Sequence, residues 1–332
     1  MSFTLPVYQP PDFAALGLGD APDVKLVPAE RDGVVPEQYH ATTMFPEYFR
    51  LNGRWVLAEE SRMDCVAVCR DGAVSIVEFR NVKKGDPVAV GRTEDGGEGI
   101  YVHTGGFGEE GGGGETFSFR QGRSRETAYS MDYDSIYELL KHERDHGNII
   151  WVMGPACAFD ADARSAFAAL VREGFVDGIL AGNALATHDL EAGYRGTALG
   201  QDVYTQRSVP NGHYNHIDTI NEVRRLGSIQ AFVDSGEVRD GILYECVKKS
   251  VPFVLVGSVR DDGPLPEVYG NVYEGQNAMR DLVRKATTII CMASTLHTVA
   301  TGNMTPCYRL SLIHNSEPTR PISISYAVFC LK

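Results

Sequence analysis

The sequence predicts an α/β protein in which a small β-rich domain precedes a parallel sheet with helices on both faces. Two observations lead there. Between Thr42 and Phe119, short apolar runs are broken by turn residues and none reaches helical length. From Asn148 onward the rhythm changes, and each apolar strand-like run is followed by a longer segment of helical periodicity. Repeated strand and crossover units of that kind build parallel sheets covered on both faces.

Taken in order, residues 1–41 are rich in proline and aspartate without apolar periodicity and read as an extended arm. Residues 42–125 form the expected β-rich domain. Its strands are Trp55-Val-Leu, Cys65-Val-Ala-Val-Cys69, Ala73-Val-Ser-Ile-Val-Glu-Phe79, Pro87-Val-Ala-Val-Gly91 and Ile100-Tyr-Val-His103. The glycine run Gly105–Gly114 contains Glu109 and Glu110, which would repel a phosphate, so it reads as a hairpin or linker.

The helix Ser135–His146 carries a literal His-Glu-x-x-His, with His142 and His146 on one face and Glu143 between them. It stops one residue after the second histidine, and no third ligand accompanies it. No metal is therefore expected, and the histidines read as favourable charges near a helix C-terminus.

Residues 126–308 hold the expected parallel sheet. Its strands are Ile149–Gly154, Val176–Gly182, Val254–Val256 and Thr288–Ala293, and its helices include Asp160–Glu173, Asp218–Arg225, Ser228–Asp234 and Gly275–Lys285. Each strand ends in small residues followed by polar ones, the pattern of a ligand cleft along the C-terminal edge of a sheet. The stretch Val254–Pro266 is the clearest case: a strand runs into Gly257 and Ser258, then Arg260, Asp261 and Asp262, held out of helix by Gly263, Pro264 and Pro266.

Composition narrows the function. The 332 residues carry a formal charge of −13, which argues against nucleic acid or an anionic membrane as partner and leaves a small molecule as the expected ligand. The sequence contains neither an apolar run long enough to span a bilayer nor a signal-peptide pattern at Met1–Tyr8, so a cytoplasmic location is expected. The seven cysteines lack a Cys-x-x-Cys pair and read as reduced core residues. Assembly into a homo-oligomer is compatible with the sequence.

The usual dinucleotide fingerprint is missing, since Gly154-Pro-Ala-Cys157 follows the first parallel strand. Residue types nevertheless nominate a site. Gly154, Pro155, Gly182, Asn183, Gly257, Ser258 and Asn303 stand where a backbone could approach a cofactor. Asp262 and Asp189 could hold amino groups, His216 or His297 could move protons, and Arg260 could pair with a carboxylate. Each has a structural alternative, such as Arg260 neutralising Asp261.

Five stretches in order carry a resemblance: Gly182-Asn-Ala-Leu-Ala-Thr-His-Asp189, Gly212-His-Tyr-Asn-His216, Tyr244-Glu-Cys-Val247, Gly257–Pro266 and Leu296–Met304. Together they are similar to the archaeal-type ornithine cyclodeaminase family, which shares the LOR/SDH conserved region and forms the C-terminal half of arginine dihydrolase/ornithine cyclodeaminase fusions. The resemblance implies a Rossmann-like domain, NAD as cofactor, and conversion of L-ornithine to L-proline and ammonia with internal return of the hydride. The alternatives are an NAD-dependent amino-acid dehydrogenase of the saccharopine type and a non-catalytic amino-acid-binding module.

The end of the chain departs from the pattern. Residues 309–332 look like translated adapter DNA, where family members continue with another strand and an acidic turn of the cofactor site. The resemblance therefore implies weak NAD binding, or none, by the chain as written.

Overall fold

A computed structural model of the chain describes residues 8–43, 45–106, 130–259, 261, 263–293, 295–305, 314–315 and 327–330. They divide into two compact units, one from residues within 4–118 and 300–311 and the other from residues within 119–299 and 312–331.

The first unit is antiparallel. Strands β1 (Lys25–Pro28), β2 (Glu47–Leu51), β3 (Arg54–Leu57), β4 (Val66–Arg70), β5 (Ala73–Val77), β6 (Pro87–Val90) and β7 (Ile100–Val102) form two sheets, ordered β1-β6-β4-β5 and β3-β2-β7. The continuous apolar run in β4 follows from burial on both faces. Ala67 and Cys69 join Phe49, Ala89 and Ile100 in one core cluster, while Val66 and Val68 meet Val82 and Val88 in another. One segment differs from the expected arm, because Lys25–Pro28 pairs with β6 as an edge strand. Too short for periodicity to register, it is fixed by that pairing. Phe13 also stacks on Trp55, with ring centroids 4.6 Å apart, so this segment packs on the sheet rather than lying free.

The second unit begins with α1 (Ser130–His146) and β8 (Ile149–Met153), followed by α2 (Ala156–Phe159), α3 (Ala161–Arg172), β9 (Gly178–Gly182) and α4 (Asn183–Arg195). A small hairpin, β10 (Thr197–Ala198) and β11 (Gln201–Asp202), leads to α5 (Gly212–Leu226), α6 (Ile229–Asp234), α7 (Ile242–Lys249), β12 (Phe253–Val256) and β13 (Val268–Tyr269). Then come α8 (Val272–Val283), β14 (Thr288–Met292), α9 (Thr295–Met304), β15 (His314–Asn315) and β16 (Ala327–Cys330). The order across the sheet is β13-β12-β9-β8-β14-β16-β15. The first five strands are mutually parallel, and β16 pairs antiparallel with β14.

Alternation along β8 explains why both faces are covered. Ile150 and Val152 point into a cluster with Val283, Ile289 and Cys291, against which Met279 and Leu282 of α8 pack. Trp151 points the other way, meets Phe167 of α3 with ring centroids 5.0 Å apart, and donates its indole N–H to the Phe175 carbonyl at 2.8 Å. No described helix is long and apolar enough to cross a membrane.

Helix boundaries moved most where polar residues masked the apolar stripe. Asn183–Asp189, expected as the polar end of a strand, is the first half of α4, and α5 starts at Gly212 instead of near Asp218. The candidate residues of both segments thus sit within the first two helical turns.

Candidate functional site

Strands β9 and β12 follow β8 on one side of the sheet and β14 lies on the other, so the chain order reverses between β8 and β14. Parallel sheets bind ligands in the crevice at such a reversal. Gly154 and Pro155 leave β8 there, and the Gly154 N–H bonds the Met292 carbonyl of β14 at 2.8 Å. A Cβ on Gly154 would meet the Ala293 Cα at 3.4 Å, so two small residues line the point of reversal.

The neighbouring strand ends are tied to one another through Asn183. Its Oδ1 accepts from the Leu265 N–H at 3.0 Å and the Thr187 hydroxyl at 3.3 Å, and its Nδ2 donates to Asp261 Oδ1 at 3.4 Å. Asp261 Oδ2 in turn accepts from the Ser258 N–H at 2.7 Å, and the Gly257 N–H bonds the Tyr269 carbonyl at 2.9 Å. Asn183, Ser258 and Asp261 are therefore linked by hydrogen bonds at the ends of adjacent strands that Gly182 and Gly257 close. Pro264, Leu265 and Pro266 line a solvent-open depression of about 400 Å³ with Arg224. Arg260 and Asp262, the charged residues expected to meet substrate, lie outside the described residues.

His216 belongs to a second cluster. Glu191 of α4 is fully buried, and its Oε1 accepts from the Thr197 hydroxyl at 2.8 Å and the Gly200 N–H at 2.9 Å. Its Oε2 accepts from the Leu199 N–H at 2.9 Å and faces His216 Nδ1 at 3.3 Å and His188 Nδ1 at 3.6 Å. The imidazole rings of His188 and His216 are 5.0 Å apart, and Phe159 packs on the far side of His188 at 4.6 Å. Burial would raise the Glu191 carboxyl. The flanking imidazoles, the Gly200 amide and the Thr197 hydroxyl outweigh it and hold the group at about 2. The connection into α5 depends on a close backbone approach, because a Cβ on Gly200, at φ +72, would lie 2.5 Å from the Gly212 carbonyl carbon.

Asp189 lies elsewhere. Only 1% exposed, it pairs with Arg164 Nε at 2.7 Å and accepts the Ile242 and Leu243 N–H groups at 2.9 and 2.7 Å, capping α7. Arg164 also meets Asp240 at 2.7 Å, and these two carboxylates raise its pKa against the lowering effect of burial. This geometry is that of a structural ion pair joining α3, α4 and α7. Gly241, at φ +123, has no room for a Cβ, which would stand 2.2 Å from the Arg164 guanidinium.

His297 is exposed on α9, where partial desolvation lowers its pKa, and Asn303 is near the end of the same helix. In the His-Glu-x-x-His segment, His142 and His146 stack on each other at 4.7 Å. Glu143 Oε2 accepts from Thr287 and from Thr288 at 3.2 Å, while its Oε1 stands 3.9 Å from His142 Nε2. Sequence reasoning missed Glu191 and Arg164. The i,i+3 spacing of His188 and Glu191 was the available signal for the first, once 183–195 is read as helix.

Family models for the C-terminal part of ArgZ-like arginine dihydrolases match the chain twice, as the first region over residues 46–127 and as the Rossmann fold over residues 135–323. The second match runs into the stretch expected to be adapter-like. The chain is 39% identical over 305 residues to an ornithine cyclodeaminase of Methanocaldococcus jannaschii, covering 89% of this chain and 70% of that one. It is 34% identical to the bifunctional arginine dihydrolase/ornithine cyclodeaminase AgrE of Nostoc sp., over 88% of this chain and 42% of AgrE. Among solved structures, a conserved putative LOR/SDH protein from Methanococcus maripaludis superposes with a TM-score of 0.77 at 35% identity, covering 86% of each chain. The ternary complex of AgrE with ornithine and NAD+ gives 0.52 at 33% identity, covering 86% of this chain and 40% of that one.

Proposed function

The chain belongs to the family of ArgZ-like C-terminal regions and archaeal ornithine cyclodeaminases, and from that premise we propose that it converts L-ornithine to L-proline and ammonia with NAD as a recycled cofactor. The observation that carries the reading is the match to both family regions in a chain whose parallel sheet reverses order between β8 and β14.

NAD fits the residues present. Gly154 and Ala293 leave the point of reversal free of bulk, and Pro155, Gly182, Asn183, Gly257 and Ser258 would complete the holding edge. Bound there, the nicotinamide supplies a reversible hydride acceptor, so the reaction has no net oxidation.

The chain's own residues do the rest. Asn183 and Asp261 fix the turn after β12, which carries Arg260 for the substrate carboxylate and Asp262 for an ammonium group. His216 moves protons at its ring, with the carboxylate of Glu191 3.3 Å from Nδ1. His297 is the second proton carrier in this reading. The acidic surface, at −13, favours approach of a substrate with two ammonium groups and one carboxylate. The five cysteines that are buried and free among the described residues suit a reducing cytoplasm.

The test is incubation of a full-length homologue with L-ornithine and catalytic NAD, since the chain as written is expected to bind NAD weakly or not at all. Stoichiometric proline and ammonia without accumulation of NADH is the expected result. Net NADH would replace the proposal with an amino-acid dehydrogenase, and ornithine binding without turnover would replace it with a binding module.

A further inference from the structure

We propose that His188, Glu191 and His216 form a three-ligand site for a divalent transition-metal ion of the zinc class. The inference does not depend on the ornithine reading, but an ion at this cluster would occupy His216 and leave proton transfer in that reading to His297. One ligand atom from each residue, a ring nitrogen of each histidine and a carboxylate oxygen of Glu191, can be chosen so that all lie within 4.8 Å of one another. Glu191 Oε2 is 3.3 Å from His216 Nδ1 and 3.6 Å from His188 Nδ1. A tetrahedral ion with bonds of about 2.0–2.1 Å places neighbouring ligand atoms about 3.3 Å apart, so both Glu191–histidine distances lie within a few tenths of an ångström of that spacing.

A second observation points the same way. His188 is more than nine-tenths buried, and its Nδ1 has no hydrogen-bond partner among the described residues, yet it is directed at Glu191 Oε2. An orphaned ring nitrogen in a buried position calls for either a proton shared with the carboxylate or a cation between them.

The surroundings resemble the outer support of a metal site. The Thr197 hydroxyl and the Gly200 amide occupy Oε1, and the Leu199 amide takes one side of Oε2. That leaves the other side of Oε2 turned toward the two imidazoles, with the carboxylate oriented before any ion arrives. Two imidazole nitrogens and one carboxylate oxygen favour zinc over magnesium or calcium, which prefer oxygen alone. Three protein ligands leave a fourth position open, and His216, with a side chain 22% exposed, lies on the side a water or small ligand can reach.

The experiment uses the full chain, prepared without a histidine tag and stripped with a chelator. It is titrated with Co2+ and then Zn2+, with metal content measured after gel filtration. We expect one equivalent of zinc per chain, and a visible Co2+ spectrum of low coordination number that zinc erases. His216→Ala and His188→Ala should each weaken binding by more than the roughly 10- to 100-fold that loss of an outer-shell partner costs, and Thr197→Ala should fall within that range. His146→Ala, in the exposed histidine pair of α1, should bind as the parent does. Failure of the parent to take up one equivalent would overturn the site, as would uptake unchanged in His216→Ala. The cluster would then be an imidazolium–carboxylate pair. Since His216 is the least buried ligand, its variant decides the matter even if His188→Ala does not fold.

Discussion

Replacing Asp189 by alanine separates a structural role from a ligand-binding one. The carboxylate is 1% exposed, pairs with Arg164 at 2.7 Å and accepts two backbone N–H groups of α7. Removing one partner of a buried pair costs about 3–5 kcal/mol, and each orphaned N–H adds about 1–3 kcal/mol where water cannot reach it. Arg164 keeps its contacts with the Asp240 side chain and carbonyl, which moderates the loss. We therefore expect about 3–5 kcal/mol in total. At roughly 2–4 °C per kcal/mol for a domain of this size, the melting temperature should fall by about 6–20 °C. Thermal and urea unfolding followed by circular dichroism measure it, and Arg164→Ala should cost a similar amount. The double variant should lose less than the sum, because the two side chains share one interaction. A melting shift under about 2 °C, combined with loss of ornithine turnover, would refute this assignment and return Asp189 to the substrate site.

Three further outcomes follow from the same geometry. Gly241→Ala should destabilise by about 1–3 kcal/mol in chemical denaturation, since φ +123 disfavours any side chain and the Cβ would collide with Arg164; a variant as stable as the parent would show that the α3–α7 junction is loose. Burial raises the Asp177 carboxyl from 3.8, so its folded form favours the proton and the wild type gains stability as pH falls through the range just above 3.8. Asp177→Asn, lacking that titration, should show its greatest advantage over the wild type near pH 7 and lose it on acidification; a pH-independent difference would contradict the shift. Burial pushes the Cys69 and Cys157 thiols up to about 12 and those of Cys246 and Cys291 higher still. A thiol reagent at mildly alkaline pH, with labelled sites mapped by mass spectrometry, should modify none of the four until denaturant is added.

Much of the fold was legible because its information is local. The continuous apolar runs Ile149–Met153 and Thr288–Met292 can be satisfied only by strands buried on both faces, and they became β8 and β14. Polar helices were harder to read. In α4, nine residues are buried, including His188, Asp189 and Glu191, so the helix shows no apolar stripe and its start reads from sequence as the polar end of a strand. The candidate site was legible in part. Gly182, Asn183, Gly257 and Ser258 share an edge because they end adjacent strands, a consequence of topology that strand and helix order already suggests. The two carboxylates of Asp189 and Glu191 stand two residues apart in sequence, yet they have separate surroundings, one capping α7 and the other facing α5.

By itself, the sequence determined the order of strands and helices, the acidic surface, the family and the small residues at the strand ends, since each follows from local pattern or from motif. Only the tertiary structure decided which charged groups meet. Arg164 finds Asp189 and Asp240 across 25 and 76 residues, and Glu191 finds His216 across 25. Those pairings depend on how α3, α4, α5 and α7 pack, and the cost of burying an unpaired charge makes that packing specific. Residue type names a potential ligand, but burial and partners fix whether it is used for structure or for chemistry.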